Sequence, residues 1–448
     1  MHQQHQGLLT LGRASWLNNF NNNSNFNAND RNVNNHARVR GIIQNGAETP
    51  FLMVSYHDLW KKLCSFKNLE LAFKRARKHK TLKPYVLEFE KDAENNLSLL
   101  QTELLLHSYR LKPLQTFIIR DPKTRKISKS HFRDRIVHHA ICNVIEPMLE
   151  KVFIYDSYAN RKRKGTLKAI KRFEFFARKA SHNYTRKIFV LKADVRHYFE
   201  TVDHNFLFSI LMKKIADKRV RWLMKVILSN YHSAVPGKGM PLGNLTSQFF
   251  ANVYLNELDH FVKQQLKAQY YLRYVDDFII VYHSRQALEE YKQHIDNFLH
   301  AKLALELHPD KSKIISLSRG VDFLGFTQFL RHKIIKKKNM LKLYRKSDEV
   351  YASYKEEKIL YDSIYDFMEG WMAYSKNANM FKVRKRILAG FERRYPREIS
   401  TKEVNRHLKE QKRSANQLIA EIREKKKPLQ LIPNIPNLPP PLLLNSHP

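Results

Sequence analysis

Two apolar segments carry acids where a buried strand ordinarily carries none. KIFVLKADV (187–195) reads as a buried strand ending in Asp194. YYLRYVDDFIIVYH (270–283) reads as two short apolar strands split by Asp276 and Asp277, a hairpin. Aspartate is a common turn residue, so YVDD alone also fits a solvated turn. The second acid-ended strand changes the weighing. If the two segments lie side by side, Asp194 and Asp276 converge at one sheet edge, with Asp277 adjacent. Carboxylates gathered in an apolar setting are costly unless a cation compensates them.

The cation that suits such donors is Mg²⁺, with Mn²⁺ as the alternative, because hard oxygen ligands leave room for waters and phosphate oxygens. Two ions about 4 Å apart would activate a 3′-hydroxyl and stabilise a leaving pyrophosphate. The charge balance agrees with a phosphate-bearing partner. The chain has 80 Lys and Arg against 42 Asp and Glu, a net +38 over 448 residues. That surplus calls for a polyanion, and nucleic acid gains by counterion release. No apolar run approaches the roughly 18 to 20 residues of a membrane span, and MHQQHQ does not begin a signal peptide. The two cysteines, Cys64 and Cys142, read as buried thiols of a reducing compartment, so the expected location is cytoplasmic and no membrane partner is expected. His138-His139 is not read as a metal pair, since adjacent helical residues face different ways.

The order of elements predicts an α+β fold, an antiparallel sheet backed by helices. Residues 52–115 read as helices, with Leu97, Leu100, Leu104 and Leu105 at helical spacing. TFIIRDPKTRKISKSHFRDRIVHHAICNVIEPMLEKVF reads as strand, basic turn, strand and then a helix with Ile136, Ala140, Ile141 and Val144 on one face. NLTSQFFANVYLNELDHFVKQQL reads as a long amphipathic helix, and DFLGFTQFLRHKIIKK as a hairpin. Residues 340–425 read as basic helices, and PLQLIPNIPNLPPPLLL as an extended Pro-rich tail.

ADVRHYF, GMPLGNLTSQFFANVYLNELD, YVDDF and GVDFLGF occur in the order and spacing of reverse transcriptase motifs, and over residues 50–390 the chain resembles that family. The resemblance implies a right-hand polymerase: fingers at 46–180, palm at 181–335 and a basic helical thumb at 336–425, flanked by segments 1–45 and 426–448. It implies Asp194 and Asp276 as metal ligands with Asp277 in support, and the Val195 carbonyl as a further contact. It implies Phe199 as the aromatic gate against a ribose 2′-hydroxyl, with Tyr198 able to exchange roles with it. Arg125, Arg133 and Arg135 are the candidates to grip a triphosphate, Arg135 first, because guanidinium gives bidentate phosphate contacts; a solvated charged face is the alternative for each. Arg161, Lys162, Arg163 and Lys164 suit template-backbone contacts. Lys311 or Lys313 is the candidate proton donor to pyrophosphate, a surface lysine being the plainer reading of either. Gly320 and Gly325 suit close backbone approach in a primer-holding hairpin.

Leu242-Gly243 followed by Ser247-Gln248, with Gln248 beside the nucleotide, is similar to the variant found in reverse transcriptases of diversity-generating retroelements. That resemblance implies copying of a template-repeat RNA into cDNA from dNTPs, with errors at adenines, and a small basic accessory oligomer as partner. Leu242 offers no polar contact to a base, which loosens discrimination. Eleven of residues 18–35 are asparagine, and AAC and AAT codons are what an adenine-rich template repeat encodes. SWLNNFNNNSNFNANDRNVNNHARVRGI thus resembles such a repeat read as protein. The alternatives are an antiphage-defence or group II intron-like reverse transcriptase, or a catalytically idle RNA-binding protein on the same fold.

Overall fold

Apolar strands without polar alternation need cover on both faces, and the central sheet has it. In the computed structural model, which describes residues 58–120 and 124–425, β3 (Phe189–Asp194), β4 (Tyr271–Tyr274), β5 (Asp277–Tyr282) and β6 (Lys313–Ser316) form an antiparallel sheet in the order β4-β5-β3-β6. Val190, Leu191, Ala193 and Phe278 to Val281 are all buried. The Asn-rich segment 1–45, the turn 121–123 and the Pro-rich tail lie outside the described residues.

These residues divide into two compact units, 58–339 with 377–379 and 340–376 with 380–425. The first begins with α1 (Leu59–Leu63), α2 (Phe66–Arg77), α3 (Pro84–Glu90) and α4 (Ala93–Leu105). A two-stranded ribbon follows, β1 (Gln115–Ile119) and β2 (Arg125–Lys129), then α5 (Phe132–Leu149) and α6 (Thr166–Ala180). Ile136, Ala140, Ile141 and Val144 of α5 are buried, as their spacing predicts. Between β3 and β4 come α7 (Tyr198–Thr201), α8 (His204–Met212), α9 (Lys218–Ser229) and α10 (Leu245–His260), and α11 (Arg285–Leu303) follows β5. Helix α6 packs on β4 and β5, and α11 on β3, β5 and β6.

Two elements differ from the sequence reading. Helix α10 is buried on nearly every side, from Thr246 to Asp259, rather than amphipathic, and it continues as a π-helical turn over Phe261–Gln265. DFLGFTQFLRHKIIKK forms three strands rather than two, β7 (Val321–Phe323), β8 (Phe326–Gln328) and β9 (Lys333–Ile335), in a separate antiparallel sheet. The second unit is helical: α12 (Lys337–Lys355), α13 (Tyr361–Ser375), α14 (Phe381–Arg394) and α15 (Thr401–Lys425). Asp362 ties α15 to α13 by accepting from the Thr401 N–H and hydroxyl, both at 2.7 Å. Among the described residues no helix is long and apolar enough to cross a membrane.

Two hairpins turn in two residues. Leu324 and Gly325 both have positive φ, 46° and 89°, the pair of left-handed residues that a type I′ turn requires. The β4–β5 hairpin turns at Val275 and Asp276, and Val275 has φ 58°. A β-branched residue there is strained by about 1–2 kcal/mol. Val275→Gly should therefore change stability by no more than about 1 kcal/mol, since lost packing and relieved strain offset each other. The same change at buried Val281 should cost about 3 kcal/mol or more. Equilibrium denaturant unfolding of both variants checks this; equal losses would contradict it.

Candidate active site

The acids meet because of strand register. Asp194 at the end of β3 pairs with Asp277 at the start of β5. Asp276 sits between β4 and β5 in the turn, and its carbonyl accepts the Val195 N–H at 3.4 Å. The Asp194 carbonyl accepts from the His308 N–H at 2.7 Å, which fixes the end of the strand. Lys311 places Nζ 3.0 Å from Asp194 Oδ1. Burial and then the charge of Asp194 raise the Asp276 carboxyl above its ordinary range, while Lys311 and Arg125 oppose that rise. Asp277 is pushed up in the same direction, first by burial, with Lys192 opposing and both neighbouring acids adding to it. Burial, and after it mutual repulsion, thus disfavours the charged forms of Asp276 and Asp277.

The donor set consists of hard carboxylate oxygens. No group of three or more His, Cys, Asp or Glu side chains among the described residues is arranged to hold a metal ion by itself. Hard carboxylate donors of this kind are the type Mg²⁺ takes when it completes its shell from water and phosphate oxygens.

The Leu242–Asn244 loop is stitched to the β1–β2 ribbon. The Ser128 N–H donates to the Leu242 carbonyl at 2.9 Å, and the Ser130 N–H and hydroxyl each donate to Asn244 Oδ1 at 3.0 Å. Gly243 has φ 113°, and a Cβ there would stand 2.9 Å from Ile127 Cγ2, so only glycine fits. Gln248, half-buried on the first turn of α10, has its N–H bonded to the Asn244 carbonyl at 3.3 Å. Buried His138 joins the same cluster through Thr246 Oγ1 at 2.8 Å. Burial pushes its pKa down to about 3, which keeps the ring neutral.

The three candidate arginines divide by partner. Arg125 on β2 is close enough to act on Asp276. Arg135 donates Nε–H to the Ser130 carbonyl at 2.9 Å and lies over the Tyr85 ring. Arg133 is paired with Glu103 and lies over Tyr109, so it is engaged within the helical layer. The aromatic pair also divides. Tyr198 is buried and donates its hydroxyl to the Ala251 carbonyl at 2.7 Å, whereas Phe199 is half-buried. In the 161–164 loop, Arg161 is committed to Glu150 and to the carbonyls of Ile154 and Ser157. Lys164 sits on the Tyr155 ring and is bonded to the Tyr155 carbonyl. Lys162 and Arg163 are exposed. Lys313 heads β6 opposite Lys192, away from the Lys311 contact with Asp194. Gly325 lies in the β7–β8 turn, where its carbonyl accepts from the Lys336 N–H, and a Cβ on Gly320 would meet the Phe329 ring at 2.7 Å.

Sequence reasoning missed Arg273, Asp259 and Asn252, which lie directly behind the acid-bearing turn. A lone arginine within YYLRYV and a lone aspartate within LNELDHFV were the signals available.

Residues 119–328 match the family model for reverse transcriptase (RNA-dependent DNA polymerase). Protein YkfC of Escherichia coli strain K12 is 26% identical over 282 residues, 54% of this chain and 72% of that protein. The group II intron-encoded protein LtrA of Lactococcus lactis subsp. cremoris is 24% identical over 274 residues, 46% of this chain and 44% of that one. The chain thus spans less than half the length of that intron-encoded relative. Apo telomerase from Candida tropicalis, truncated from its C-terminal domain, superposes with a TM-score of 0.41 at 13% identity, covering 53% of this chain and 59% of that one. Residues 119–328 thus resemble a reverse transcriptase (RNA-dependent DNA polymerase) domain, and the proteins similar to this chain include group II intron-encoded ones.

Proposed function

We propose that the chain extends a DNA primer on an RNA template at the edge formed by Asp194, Asp276 and Asp277. The observation that carries this reading is the register of Asp194 opposite Asp277, with Asp276 in the intervening turn and Lys311 against Asp194. Asp194 and Asp276, with the Val195 carbonyl, are the residues to hold Mg²⁺, or Mn²⁺ in its place, and Asp277 supports them. When bound, the divalent ions supply charge neutralisation on the triphosphate and acidify the primer hydroxyl. Arg125 and Arg135 bind triphosphate oxygens, and Phe199 excludes a ribose 2′-hydroxyl. Leu242, Gly243 and Gln248 form the floor under the incoming dNTP. Lys162 and Arg163 suit the template backbone, and the turn at Gly325 positions the primer end. In these terms residues up to about 180 act as fingers, the acid-edged sheet as palm, and the basic helices of 340–425 as a thumb suited to duplex phosphates.

The finer reading is that this polymerase copies a template-repeat RNA into cDNA, with errors at adenines, for rewriting of a target gene. Leu242 supports it, because an apolar side chain cannot read a base edge. The Asn-rich start supports it through its codons. A small basic accessory oligomer is the partner this reading implies. The likeness to a group II intron-encoded protein favours a second reading, an intron-like reverse transcriptase. A near-copy of the 15–42 coding segment in flanking DNA, differing mainly at adenines, supports the first; its absence favours the second.

Asp276→Ala with Asp277→Ala should abolish Mg²⁺-dependent primer extension on RNA while leaving RNA binding within about threefold, because the basic surface carries affinity. Equal incorporation by wild type and variant would defeat the reading of this edge as the polymerase site. Lys311→Ala should lower the single-nucleotide incorporation rate by about 10²-fold, the scale of a general acid. Lys313→Ala should leave that rate within about twofold. The reverse ranking, measured by rapid quench, would reassign the proton donor.

A further inference from the structure

Arg273 is fully buried, yet it sits two residues before the half-buried turn of Val275 and Asp276. Its guanidinium uses every N–H it has. Nε and Nη2 form a fork on Asp259, at 2.7 Å to Oδ1 and 2.6 Å to Oδ2. Nη1 donates to the Val275 carbonyl at 2.9 Å and to Asn252 Oδ1 at 3.3 Å, and Nη2 reaches the Asn252 carbonyl at 3.5 Å. Tyr271 donates its hydroxyl to Asp259 Oδ1 at 2.7 Å, which holds the carboxylate in turn. The Arg273 main chain is also pinned, its N–H to the Asp156 carbonyl at 2.9 Å and its carbonyl to the Tyr158 N–H at 3.0 Å.

The bonded carbonyl belongs to the one strained residue of this turn. Val275 has φ 58°, a conformation a β-branched residue adopts only when its surroundings impose it. The Val275 carbonyl is part of the peptide that joins it to Asp276. We propose that Arg273, held by Asp259 and Tyr271, is a positioning residue: it clamps the Val275–Asp276 peptide in its strained form and so sets where the Asp276 carboxylate stands. The inference rests on the polymerase reading above. A buried ion pair is weak support for stability by itself, because the desolvation of both charges offsets their attraction. Geometry at the turn is what it supplies here. The brace also links Asp276 to α10, the helix whose first turn carries Gln248, so one rigid element references both the acid and the nucleotide floor.

Two variants test this in the full chain. Arg273→Lys keeps the charge, but a single ammonium lacks the planar fork that spans Asp259 and the Val275 carbonyl together. Arg273→Met with Asp259→Leu removes both charges and fills the volume, a replacement that commonly preserves stability. The readouts are the thermal unfolding midpoint and single-nucleotide kinetics on an RNA template with a DNA primer. Both variants should unfold cooperatively, with kcat lower by about 10²-fold, the cost of a misplacement near 1 Å. The dNTP KM and primer–template Kd should stay within about twofold. A stable double variant with wild-type kcat overturns the proposal, as does Arg273→Lys at wild-type kcat if the double variant fails to fold. A drop confined to KM overturns it too. A wild type that extends no primer overturns the polymerase reading and this inference with it, whereas an active wild type with unimpaired variants overturns the brace alone.

Discussion

Three carboxylates held at one edge of a largely buried sheet are the constraint around which the rest of this molecule is arranged. Like charges this close repel, and burial adds to the penalty. The fold answers with cations placed around them: Lys311 at Asp194, Lys192 beside Asp277, and Arg125 near Asp276. It also answers with backbone bonds that leave the acids little freedom, from His308 to the Asp194 carbonyl and from Val195 to that of Asp276. Such an edge favours positive charge, and under the proposed function a phosphate-bearing substrate with divalent ions would supply it.

Helix α10 organises the surroundings. Just before its first turn, Asn244 accepts two bonds from Ser130 and so fixes the base of the β1–β2 ribbon that carries Arg125. Its middle and end present Asn252 and Asp259 to Arg273. An amphipathic surface helix could not do both. Burial on nearly all sides gives α10 contacts with α5, α8 and α11, which makes it a fixed reference for parts brought from distant sequence.

Much of this was legible in the sequence, for identifiable reasons. The runs FVLKAD and RYVDDFII are too apolar to lie on a surface, so strands with acids at their ends were readable without coordinates. The helical faces of α4 and α5 followed from spacing, except that Leu105, at the last turn of α4, is exposed while Leu97, Leu100 and Leu104 are buried. What was not legible depends on partners far along the chain. Nothing near Arg133 announces Glu103, and nothing near Arg161 reveals that its donors are taken by Glu150 and two carbonyls. Lys311 and Lys313 look equivalent in HPDKSKI until the turn before β6 separates them. Tyr198 and Phe199 look interchangeable until the tyrosine hydroxyl is found inside, on Ala251. Short strands such as β6 and β9 offer too few residues for a period to emerge, so their pairing had to come from tertiary structure.

The central claim is that a divalent ion binds where Asp194 meets the Val275–Asp276 turn, and localised oxidative cleavage tests it without relying on turnover. With Fe²⁺ in place of Mg²⁺, plus ascorbate and peroxide, hydroxyl radicals cut the backbone within a few ångströms of the bound ion. The account predicts two dominant cuts, one near Asp194 and one at 275–277, both suppressed by excess Mg²⁺ and by Asp194→Asn. Cleavage concentrated elsewhere, or spread evenly along the chain, would contradict it.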